Sequence, residues 1–88
     1  MKGHRIYPDK DGNLNFKPGD YGKDPRDDNW YARPPGVDNM MGSLKEHDVT
    51  EHKDGTITVK PSILVHYEWG DKKWQWHGFL EGGVWREC

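Results

Sequence analysis

The residues whose chemistry stands out first are His66, His77 and Cys88, spaced eleven apart twice. Imidazole and thiolate are preferred zinc ligands, and a catalytic zinc site needs three protein ligands. Laid in one row across three neighbouring strands, however, the outer two would start about 10 Å apart, because strands lie about 4.8 Å from one another. Convergence on bonds of about 2 Å is then difficult, and Cys88 at the chain end is prone to fray. The expected role is a polar row on a partly exposed face, without metal. The run Asp9-Lys10-Asp11-Gly12-Asn13 copies the start of a calcium-binding EF-hand loop, with Asn15 and Asp20 at later ligand positions. It departs where that loop is strictest: Leu14 replaces the turn glycine, Pro18 interrupts, and Asp20 stands where Glu is needed. A turn built from Asp and Gly accounts for the same residues. Asp24, Asp27 and Asp28 flank Arg26 on a Pro-containing stretch and suit a solvated turn. Gly-rich phosphate loops, G-x-S-x-G elbows and H-E-x-x-H helices are all missing from the sequence. The expectation is a protein that is not an enzyme and uses no cofactor.

Binding is the other chemistry to weigh. Trp and Tyr rings beside Arg and Lys are the side chains that stack bases and hold phosphates, and Trp30, Tyr31, Arg33, Lys72, Lys73 and Arg86 form the candidate set. The competing demand is the core. With 32% hydrophobic residues, 32% charged and a mean hydropathy of −1.15, the chain needs its rings inside. Five Trp, four Tyr and two Phe can each bury about 150–250 Å², which separates this composition from a disordered one. Of the rings not needed for the core, Trp30, Tyr31, Tyr21 and Phe79 are the ones expected to serve a ligand surface. A net charge of −2 and a pI near 6.2, balanced between the two halves, give no field that would draw in duplex nucleic acid or an anionic membrane. The longest apolar run, Ile63-Leu64-Val65, is too short for a membrane span or a signal peptide. The cytoplasm is the expected location.

The elements that must position these side chains are short. Eleven Gly and six Pro leave no room for long helices, and 88 residues make one small domain. The fold class expected is mainly β: a loop-rich layer over 1–48 covering an antiparallel meander over 49–88. In the first part, Arg5-Ile6-Tyr7 is expected to pair with Asn13 to Phe16, and Trp30-Tyr31-Ala32 to form a third strand. Val37 to Lys45 suits one turn or a loop. In the meander, Lys53-Asp54-Gly55 makes a three-residue loop that sets Val49 opposite Val59, and Pro61 demands a bend or bulge. A Gly82-Gly83 turn pairs Glu81 with Val84, Leu80 with Trp85, Phe79 with Arg86 and His77 with Cys88. A four-residue loop over Gly70 to Lys73 would pair Trp69 with Trp74, Tyr67 with Trp76 and His66 with His77. One face then carries Ile63, Val65, Tyr67, Trp69, Trp74, Trp76, Leu80 and Trp85, while His66, Glu68, Gln75, His77 and Arg86 turn away.

The segments HDVTEHKDGTITVKPSILV and WHGFLEGGVWREC, with NWYARPP upstream, resemble a family of small uncharacterised bacteriophage and prophage proteins. Its members share a Thr-Ile-Thr-Val-x-Pro-Ser-Ile-Leu core and a Trp-His-Gly-x-Leu ending. The resemblance spans most of the chain from Asn29, and more distant members carry extra cysteines that this chain lacks. It implies a phage accessory protein acting inside an infected bacterium, and it supplies no catalytic residues. The leading expectation is a non-enzymatic protein that binds a host protein, as an inhibitor of a bacterial defence system would. The alternative is a small-molecule binder that sequesters a nucleotide signal between aromatic and basic side chains. A face as apolar as that of the meander also predicts that residues 1–48 cover it.

Overall fold

Turn-forming residues divide the chain into eight strands with no helix among the described residues. The computed structural model describes residues 1–35 and 41–88, with the backbone alone for Tyr67, Trp69 and Trp74. The strands are β1 His4–Arg5, β2 Asp20–Asp24, β3 Asn29–Ala32, β4 Gly42–Ser43, β5 Asp48–Glu51, β6 Ile57–Trp69, β7 Lys72–Glu81 and β8 Val84–Glu87. They form two four-stranded sheets, ordered β1-β2-β3-β4 and β5-β6-β7-β8. The mainly β class expected from the sequence is what the chain adopts.

The second sheet follows the glycines. Gly55, Gly82 and Gly83 all have positive φ, at 89°, 55° and 78°, the conformation these tight turns require and side chains resist. The resulting register pairs Val49 with Val59, and Leu80 with Trp85, Phe79 with Arg86 and Glu81 with Val84. Cys88 donates its amide to the His77 carbonyl. Each of these pairings is the expected one. The β6–β7 hairpin differs: its loop is Gly70-Asp71 alone, so Trp69 faces Lys72, Glu68 faces Lys73, Tyr67 faces Trp74 and His66 faces Gln75. Gly70, with φ 63°, permits the two-residue turn. Lys72 and Lys73 therefore become strand residues, with Lys73 3.8 Å from Glu68. The slip is two residues, so it changes partners and preserves faces.

In the first sheet the expected pairing of Arg5 to Tyr7 with Asn13 to Phe16 is replaced by another. The turn at Asp9 closes on itself: its carboxylate accepts from the amides of Asp11 and Asn13, and its own amide donates to the Asn13 carbonyl. His4 and Arg5 instead run parallel to Asp20 and Tyr21, and Ile6 donates to the Tyr21 carbonyl. β3 matches the third strand expected at Trp30 to Ala32. Of the turn or loop expected over Val37 to Lys45, Val37 to Met40 lie outside the described residues.

Both sheets contribute to one core. Tyr21, Ala32 and Leu44 from the first half meet Ile57, Val59, Ile63, Trp76, Leu80 and Trp85 from the second, all 3% exposed or less. Trp30, Val49 and Val65 pack around them. Trp76 meets Trp85 edge to face, with centroids 5.2 Å apart and planes at 89°, the geometry the ring quadrupoles favour. The Trp85 indole donates to the Gly19 carbonyl at 2.8 Å, which satisfies its buried N–H from the turn that leads into β2. The chain start also closes the outer edge of β8, through a Lys2–Val84 bridge and bonds from Gly3 to Gly83 and from Trp85 to Met1.

Candidate functional site

The alternation of β7 and β8 decides what faces outward on the second sheet. Leu80 and Trp85 turn into the core, so Phe79, Glu81, Val84 and Arg86 must take the other face. β6 breaks its alternation at the expected place. Between the Val59–Leu80 and Ile63–Gly78 pairs, three residues, Lys60, Pro61 and Ser62, stand against the single Phe79. Pro61 cannot donate to the ladder, and the extra residues open the outer surface. A cavity of 410 Å³ results, lined by Val59, Lys60, Pro61, Phe79, Glu81 and Arg86.

Its floor is apolar and its rim is charged. Val59 is buried beneath, Phe79 is half-buried and Pro61 is exposed. The Arg86 guanidinium lies over the Phe79 ring, 5.0 Å from its centroid, and bonds to Glu81 at 2.6 Å. Both members of that pair are more than half exposed, so water screens it and it contributes about 0–1 kcal/mol. Its consequence is geometric: Arg86 is held over Phe79. Lys60 is exposed and, among the described residues, has no carboxylate within ion-pair distance.

The candidate binding residues from the sequence fall in separate places. Trp30 and Tyr31 are neighbours on β3 and so point to opposite faces. Trp30 packs against the core with the Arg5 guanidinium over its ring at 4.6 Å. Tyr31 donates its hydroxyl to Asp27 at 2.5 Å. That bond draws the Asp27 carboxyl below its ordinary value of 3.8 and raises the Tyr31 phenol above 10.0. Arg33 donates to the Phe16 carbonyl at 2.9 Å. Lys72 and Lys73 sit at the far end of β7, about 20 Å from Phe79 at a strand rise of about 3.3 Å per residue. Of the six, Arg86 alone lines the cavity.

The row of His66, His77 and Cys88 is also rearranged. The shorter β6–β7 turn sets His77 opposite Leu64 and His66 opposite Gln75, so only His77 and Cys88 remain adjacent. The His77 Nε2 lies 2.9 Å from the Ser62 hydroxyl, a nucleophile beside a base. Among the described residues no hydrogen bond reaches the His77 Nδ1, the contact by which a third group would orient such a base. Among the described residues no three His, Cys, Asp or Glu side chains gather as metal ligands. The Asp9 carboxylate is engaged by the Asp11 and Asn13 amides.

Arg5 is the functional-looking residue that the sequence did not mark. Its side chain is 15% exposed, and its guanidinium lies between the rings of Tyr7 and Trp30 at 4.7 and 4.6 Å and bonds to Glu51 and to the Gly55 carbonyl. These contacts span up to 50 residues, with no local pattern to announce them. They fasten the first sheet to the β5–β6 hairpin. Lys60 and Pro61, by contrast, had a signal: a proline inside a strand-like run marks a bulge, and a bulge beside an outward aromatic makes a cavity. Comparison with protein-family models, with curated proteins and with solved structures finds no match for this chain.

Proposed function

We propose that the protein works by binding rather than by catalysis, as a phage accessory protein that occupies the surface of a host protein. The observation that supports this most is the outer face of the second sheet. Leu64 and Val84, 54% and 48% exposed, share that face with Pro61, Phe79 and the cavity between β6 and β8. An apolar centre with a charged rim is the anatomy of a protein interface, and a pocket that receives an anchoring side chain is where binding energy concentrates. The phage setting rests on the resemblance of the TITVKPSILV and WHGFL segments. Affinity capture from bacterial lysate tests the reading. The wild type is expected to recover one host protein in stoichiometric amount, and Val84→Arg, which places a charge on the same face, to lose it. Recovery of no stoichiometric partner, or equal recovery by both proteins, overturns the reading.

A further inference from the structure

We propose that the cavity at the β6 bulge receives an aromatic side chain of the partner that has an acidic residue beside it in the partner's chain. This rests on the partner-binding reading above and gives that partner a chemistry. Phe79 is the first reason. Strand alternation turns it away from the core while Trp76, Leu80 and Trp85 around it turn inward, so the core does not account for a large ring there. Together with Pro61 and the buried Val59 it makes a floor suited to the face or edge of another ring. Arg86, already over Phe79, offers a planar guanidinium that stacks on aromatic faces.

Charge is the second reason. The rim carries Lys60, Glu81 and Arg86. Glu81 and Arg86 neutralise one another, which leaves Lys60 as the uncompensated charge among them. Asp48, its register partner on β5, stays outside ion-pair distance. One free ammonium matches one carboxylate. A nucleotide phosphate, which carries up to two negative charges and favours several charge-assisted donors, finds among the described residues lining the cavity one cation without an ion pair. Size agrees: 410 Å³ is near the lower end of ligand cavities, about 300–1,000 Å³, enough for one large ring and the group beside it.

The test is selection from a random peptide display library on the immobilised protein, followed by measurement of the best peptide as a synthetic compound. Enriched sequences should hold Trp, Tyr or Phe with Asp or Glu within about two positions. Binding of the synthetic peptide should weaken at least about tenfold in Lys60→Glu and in Phe79→Ser. Lys60 is exposed, so Lys60→Glu remains informative if Phe79→Ser fails to fold. Enriched peptides without the ring and acid pair, or peptides that bind both variants as well as the wild type, overturn the assignment. So does displacement of the peptide by adenosine monophosphate at an equal or lower concentration than unlabelled peptide requires, which would give the cavity to a nucleotide. Host-protein capture unaffected by Lys60→Glu would remove the cavity assignment and leave partner binding standing. Failure of both capture and peptide selection removes both.

Discussion

Gly82 and Gly83 look interchangeable as letters, and the structure separates them. Both have positive φ, a need legible from the two-residue turn alone. A Cβ on Gly82 would meet nothing within 4 Å, whereas one on Gly83 would come within 2.8 Å of the Tyr21 hydroxyl and the Thr56 methyl. Tyr21 is 1% exposed and has nowhere to move. Gly82→Ala is therefore expected to cost about 1–2 kcal/mol, the left-handed penalty, and Gly83→Ala about 2–4 kcal/mol once overpacking is added; chemical denaturation of the two variants checks the order. Trp85 allows a similar separation. Trp85→Ala should cost about 3–5 kcal/mol for the lost ring. Trp85→Phe keeps most of the ring and removes one of the two donors to the Gly19 carbonyl, which still accepts from the His4 amide, a loss of about 0.5–1.5 kcal/mol. Sequence reasoning placed Trp85 inside through its register with Leu80. It had no means of finding Gly19 as the acceptor, 66 residues away.

The two sheets depend on each other because each lends the other its core. Removing residues 1–28 deletes β1 and β2, the Tyr21 ring, the Gly19 acceptor and the strip that covers the β8 edge. The remaining 29–88 should lose cooperative unfolding and aggregate through its exposed indoles; a soluble monomer with a sharp transition in light scattering and Trp emission would show that the second sheet stands alone. What was legible at this scale follows a physical division. Hairpins closed by Gly-Gly, or by a loop ending in Gly55, declare themselves in a few adjacent residues, and alternation then sorts Trp76, Leu80 and Trp85 to one face. β1 declares nothing, because two residues have no periodicity and its parallel partner lies beyond two turns. The Gly70 loop was legible only in outline. Two lysines look like loop material, yet an exposed ribbon tolerates them in strand positions, and because the slip is even Ile63, Trp76, Leu80 and Trp85 face the core as expected, while the side chains of Tyr67, Trp69 and Trp74 lie outside the described residues. Within the cavity, the bulge at Pro61 and the Phe79–Arg86 pair were visible in the sequence; their meeting required the fold.

At the scale of the whole molecule, carboxylates and phenols bound the pH range of stability. Thr56 donates to the Asp54 carboxylate through both its hydroxyl and its amide, and these bonds lower the Asp54 carboxyl below 3.8, as the Tyr31 hydroxyl does for Asp27. The unfolded chain binds those protons more readily, so this stabilisation is complete above about pH 4 and fades as pH falls through the lowered values. Burial raises the Tyr21 phenol above 10.0, and there the sign reverses: stability is complete below about pH 10 and declines as pH climbs past it. A thermal midpoint measured against pH should show both limbs, and Tyr21→Phe should flatten the alkaline one. The seam where the chain start lies along β8 governs the order of events in time. Lys2 bridges Val84 and the Gly19 carbonyl accepts from the indole of Trp85, so residues 66 or more positions apart must meet before this seam closes. Closing so long a loop is entropically costly before any contact rewards it, and topologies of this kind fold in milliseconds to seconds rather than microseconds. Until the β7–β8 hairpin has formed, the Gly19 carbonyl and the strip from Met1 to Gly3 have no partner across that seam.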